Sequence, residues 1–172
     1  MNIKFTINTK KAIEAIVWII QRGESNIYNA MKIFFAADKY HLNKGARPVT
    51  GDRYVAMPFG TVPVWIYATV KNPKPGIGFT KDGNNLVLDS GRTCYMRCMS
   101  KSDIEALEHG FIEYAGKSFE AVREKNHQEP AWINAVNRNP GSKAPRVLFE
   151  DMIDGKEWLI EDLQAWGRYI CI

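Results

Sequence analysis

Asp38 and His41 stand three residues apart, so on a helix they share a face, and a carboxylate beside an imidazole can orient it as a general base. Asp52, Arg53, His127 and Glu129 are the other polar residues that could join them in hydrolytic chemistry. The same residue types have ordinary structural uses. Asp52 can bond the amides of its own turn, Arg53 can sit in an ion pair, and Glu129 precedes Pro130 at a helix start. Nothing in the spacing makes the six converge, so we assign no catalytic residue and read the chain as a non-enzyme. Cys94 and Cys98 form a C-x-x-x-C pair with no Cys/His partner at zinc spacing, which makes them ordinary thiols. The chain has no phosphate loop, dinucleotide fingerprint or nucleophile elbow. We expect neither a metal nor a cofactor.

Periodicity and punctuation define the elements that must carry these residues. Ile13, Ile16, Val17 and Ile20 predict a helix over 10–22 that is apolar almost all round, with Thr9 as cap and Gly23 as stop; a buried strand is the competing reading. Ile27, Met31, Phe34 and Phe35 trace one face of a second helix over 26–43, capped by Ser25 and stopped by Gly45. Val49 to Met57 reads as a turn feeding a short strand, and Pro58, Gly60 and Pro63 keep the sheet short. Pro63 suits the start of a third helix over 64–71. A hairpin region follows over 77–98, with 93–96 as one strand. Helices then return after Ser100 or Ser102, after Ser118 and at Pro130. Residues 139–145 form a loop, and 150–172 fold back as one or two helices.

With 172 residues, 45% hydrophobic and 24% charged, the chain can bury one core; a disordered tail, a collagen and a coiled coil are excluded. The expected fold class is α+β and mainly α-helical, a single compact helical domain over 1–172 with a small antiparallel sheet. Three cysteines fit a reducing compartment. The longest apolar run, Ala15 to Ile20, is far short of the roughly 18–20 residues of a membrane span, so we expect a cytoplasmic protein without membrane contact. Residues 1–60 carry nine basic and four acidic side chains, and two helices before a strand pair resemble a winged helix-turn-helix. Lys32, Lys39 and Lys44 are scattered along the second helix, however, so nucleic acid ranks low as a partner. From Leu148 onward six acidic residues oppose two basic ones.

One series of motifs is more specific than any of these patterns. Phe35-Ala36-Ala37-Asp38-Lys39-Tyr40-His41-Leu42 leads into Gly45-Ala46-Arg47-Pro48-Val49-Thr50-Gly51-Asp52-Arg53-Tyr54-Val55-Ala56-Met57, then Phe59-Gly60-Thr61-Val62-Pro63, then Ser100 to Leu107, then His127-Gln128-Glu129-Pro130-Ala131-Trp132. This series resembles the signature of the Panacea domain of SocA-like antitoxins. The similarity covers about 26–137, with a C-terminal helical segment at about 147–172 packed on that core. Two positions depart from the family pattern: Thr61 stands where a proline is usual, and Gln128 where an acid is common.

The resemblance implies an antitoxin that neutralises a co-encoded toxin by direct protein–protein binding. The alternatives are a proteolytic adaptor that hands the toxin to a cellular protease, a small hydrolase, and a DNA-binding autoregulator. In this reading Asp38, His41, Pro48, Gly51, Asp52, Arg53, Tyr54, Gly60, Pro63, Glu129, Pro130 and Trp132 are structural. Trp65, Tyr67, Trp158, Trp166 and Tyr169 are the candidates for toxin contact, as large side chains that the core does not require.

Overall fold

The computed structural model describes residues 2–169, and it is α+β and mainly helical. The helices are α1 (Thr9–Gln21), α2 (Ile27–Gly45), α3 (Val64–Lys71), α4 (Lys101–Tyr114), α5 (Phe119–His127), α6 (Pro130–Arg138) and α7 (Glu157–Tyr169). The strands are β1 (Tyr54–Met57), β2 (Gly60–Pro63), β3 (Phe79–Asp82), β4 (Asn85–Leu88) and β5 (Arg146–Val147). Among the described residues these make an antiparallel sheet of order β2-β1-β5 and a separate β3–β4 hairpin.

Local chemistry sets the helix ends, one residue away from the expected caps. Asn8, not Thr9, caps α1 by accepting from Lys11 N at 3.0 Å, and Asn26, not Ser25, caps α2 by accepting from Asn29 N. Asx side chains are strong caps because they satisfy amides that lack an intrahelical partner. Gly45 does not stop α2. It is its last residue, and Ala46 takes the left-handed conformation at φ 57°. Gly45 is needed for space: a Cβ there would lie 2.9 Å from Cε1 of His41. Ser100 is the cap chosen for α4, in a capping box closed by Asp103.

The expected strand at 93–96 does not form. Cys94 N bonds the side chain of Gln21, Tyr95 N bonds Glu14 Oε2, and Met96–Cys98 is a 3-10 turn. Side chains of α1 have taken the amides that a sheet partner would have used.

α2 is the central element. Thirteen of its nineteen residues are buried, and it packs on α4, β2, α5 and α3. On α4, Gly110 allows this approach, because a Cβ there would collide with the carbonyl oxygen of Ile33. One apolar cluster gathers α1, α4 and one side of α2 around Ile16, Ile33, Phe34 and Leu107. A second gathers Phe35 and Leu42 of α2 with Tyr54, Ala131, Phe149 and Leu159. The C-terminal segment is held by Asn43, which donates to Met152 O at 2.7 Å and accepts from Asp154 N at 2.8 Å. A helix buried this deeply cannot enter a DNA groove, so α2 is not the recognition helix of a winged helix-turn-helix.

Candidate functional site

The motif residues do not assemble one reactive centre. Asp38 is fully buried and accepts from Thr50 N at 2.9 Å, Thr50 Oγ1 at 2.7 Å and Tyr54 OH at 2.9 Å. Burial pushes its carboxyl up to about 6 against the pull of these donors. His41 faces elsewhere: Nδ1 lies 2.7 Å from Arg47 O and Nε2 lies 2.9 Å from Ser102 Oγ. Beside it, Asp103 collects Lys11, Arg47 and Ser100. Burial disfavours its charge, but these donors hold it down to about 2. Glu129 pairs with Lys39 at 2.8 Å, and Lys39 also reaches Asp154. Each candidate base or acid thus has its own structural partners.

Asp52 does more than bond its own turn. It accepts from Arg53 N, and also from Trp65 N at 3.1 Å and Ile66 N at 2.8 Å, the second and third amides of α3. The residue at the N-cap of α3 is Pro63, which has no side chain for the task. Pro48 and Gly51 are buried in the turn before Asp52, and a Cβ on Gly51 would meet the Thr6 carbonyl at 2.7 Å. Arg53 corrects an expectation. Its side chain is exposed and forms no ion pair among the described residues. Only its backbone is engaged, in bonds to Asp52 and to Val64 N. The alternation along the strand explains this, since Tyr54 takes the inward position and turns its neighbour out.

The last motif fixes the tip of the β1–β2 hairpin. Trp132 of α6, whose first residue is Pro130, donates from Nε1 to Met57 O at 2.9 Å. His127 stacks on Trp132 with ring centroids 4.1 Å apart and places Nε2 2.9 Å from Pro58 O. Burial lowers the His127 pKa, which favours the neutral ring. Gly60 closes the turn at φ 116°, where a Cβ would strike Asn126 Oδ1. Thr61 N donates to that same oxygen at 2.6 Å. The family's usual proline at this position could not make this bond, so the departure at Thr61 matches an acceptor supplied by α5.

What the pinned tip presents is Phe59, 53% exposed, at the rim of a groove of about 850 Å³. Phe59 meets Phe119 of α5 edge to face at 5.2 Å, and Phe119 lies 4.7 Å from Tyr28 of α2. Tyr28 OH donates to Phe59 O at 2.8 Å. Tyr67 and Lys71 of α3 line the groove as well. So does Lys32, with no exposed surface, its Nζ bonded to Thr61 O at 2.7 Å and 4.7 Å from the Tyr28 ring. Burial without a carboxylate lowers Lys32 to about 7.

Of the expected contact residues whose side chains are described, only Tyr67 reaches this groove. Trp65 is half-buried against the main core. Trp158 and Trp166 are 61% and 68% exposed on α7. Tyr169 ends α7, and its side chain lies outside the described residues, as do residues 170–172 with Cys171. Tyr28 and Phe119 were missed by sequence reasoning, and Phe59 was read only as part of the family motif. The available signal was Phe59 between Pro58 and Gly60, a large apolar side chain at a turn tip. Cys94 is a free thiol pushed up to about 11, by burial and then by Glu14, which leaves it unreactive at neutral pH. No described helix is long and apolar enough to cross a membrane, and no group of three metal-ligating side chains comes together among the described residues.

The structure is thus an α+β domain whose polar motif residues brace a hairpin against a central helix, beside an open aromatic groove. Residues 31–133 match the family described as antitoxin SocA-like, Panacea domain, and the chain belongs to that family. Membership carries an antitoxin role in general terms and, with it, a protein toxin as partner. Comparison with curated proteins gives no match, and comparison with solved structures gives none either.

Proposed function

We propose that this chain is a single-domain antitoxin that neutralises a co-encoded toxin by direct binding, without catalysis, cofactor or nucleic acid, in the cytoplasm. The observation that carries this is the aromatic rim formed by exposed Phe59 and Phe119 with half-buried Tyr28, beside a hairpin tip held by the family's own motif residues. Aromatic anchors at a pocket dominate the energetics of protein interfaces. Tyr67 belongs to this contact, and Trp158 and Trp166, both exposed on α7, are further contact candidates. A stable complex buries about 1,200–2,000 Å² in total. The hydrolase reading loses support from the separate partners of Asp38, His41 and Glu129. Co-expression with the product of the adjacent reading frame tests the proposal. Rescue of growth with stoichiometric co-purification supports binding. Rescue with loss of the toxin only when a cellular protease is present replaces the blocker by the adaptor.

A further inference from the structure

Lys32 lies beneath the lining of the aromatic groove, its ammonium against the Tyr28 ring, with one acceptor, the Thr61 carbonyl, and with no acidic partner among the described residues. The ammonium has three donors, and a buried cation without a counter-charge is costly. The rest of the groove does not supply that counter-charge. Glu24 is the acidic side chain among the lining residues, and its carboxylate already accepts from Asn26 N at 2.8 Å, Gly116 N at 2.8 Å and Asn29 Nδ2 at 3.1 Å. Lys71 and Lys117 also line the groove, and neither pairs with a carboxylate among the described residues. Arg123 lies over the Phe119 ring at 5.7 Å, likewise without an acidic partner. Positive charge is therefore in excess around an apolar trough whose mouth is made of exposed rings.

We propose that the occupant of this groove is a short segment of the toxin in which a carboxylate side chain adjoins an aromatic or aliphatic one, the Tyr28 ring moving off the Lys32 ammonium so that the carboxylate meets it while the apolar neighbour seats between Phe59 and Phe119. The inference rests on the binding reading above and adds the chemistry of what is bound. A charged pair formed inside a dry groove would combine the desolvation of Lys32, already complete in the free chain, with a new charge-assisted bond. Apolar side chains flanking the acid would exclude water from that bond and fix its direction.

Short acetylated peptides tiled across the toxin, titrated against the full chain, test this. The tightest peptide should carry Asp or Glu beside a large apolar residue. Changing that acid to its amide should weaken binding at least about tenfold, and Lys32→Met should weaken the acidic peptide as much while abolishing the difference between acid and amide. Phe59→Ser, an exposed change that leaves the core intact, should weaken both peptides alike. Retention of the acid-over-amide preference in Lys32→Met overturns the inference. A tight peptide without an acid does so too, as does a self-associated chain whose groove is filled by the acidic α7 of a second copy. If whole toxin still co-purifies with the chain in those cases, the binding reading stands and only the occupant is wrong. If neither toxin nor any peptide binds, both fall.

Discussion

Asp52 caps a helix that begins a dozen residues after it: its two carboxylate oxygens accept the amides of Trp65 and Ile66, at 3.1 and 2.8 Å. These bonds tie the motif turn to α3, which carries Tyr67 of the groove wall. Burial raises the Asp52 pKa, with the three amides opposing it, so the carboxylate depends on these donors to stay charged.

Asp52→Ala should therefore cost about 1–2 kcal/mol, the usual loss for an N-cap. Asp52→Asn keeps an acceptor and should recover part of it. Chemical denaturation of the three proteins measures this directly. Equal midpoints for the wild type and the alanine variant would show that water replaces the cap without loss.

Arg53→Ala should change stability by less than about 0.5 kcal/mol, because the side chain is exposed and has no ion-pair partner among the described residues. Its neighbour Tyr54 is the contrasting case. Removing its hydroxyl with Tyr54→Phe takes one of three donors from the buried Asp38, at about 1–3 kcal/mol. Thermal melts of the two variants side by side should separate a surface residue from a core one.

These two neighbours also show what the sequence could and could not convey. The elements were legible because apolar spacing and Pro/Gly punctuation act locally, and so the helices at 10–22, 26–43 and 64–71 appear nearly where expected. Caps shifted by one residue because Asn8 and Asn26 outcompete a neighbouring Thr and Ser. The strand at 93–96 failed because its amides are claimed from a distance, by Gln21 and Glu14. The groove failed for the same reason. Tyr28, Phe59 and Phe119 are far apart in the chain and share no motif, so their convergence exists only after α5 has packed on the hairpin.

Lys32 gives a signed dependence on pH. Its pKa falls from 10.5 in the unfolded chain to about 7 in the folded one. Between those values the unfolded chain holds the proton and the folded chain does not. Stability should therefore rise with pH across that window, by up to about 1.4 kcal/mol per unit, and the penalty for charging Lys32 is complete below pH 7. Lys32→Met should remove this slope, so the wild type should gain on the variant as pH rises from 7 to 10. A constant difference between the two proteins over that range would mean that Lys32 stays charged in the folded state.

The central claim is that this chain silences a toxin by holding it through the aromatic rim. The decisive measurement is growth of cells that express the neighbouring toxin with either the wild-type chain or Phe59→Ser, paired with co-purification from the same cultures. The prediction is rescue and a stable complex with the wild type, and loss of both with Phe59→Ser while its melting temperature is unchanged. Rescue that persists without any complex, or no rescue together with turnover of a small substrate that His41→Ala abolishes, would contradict it.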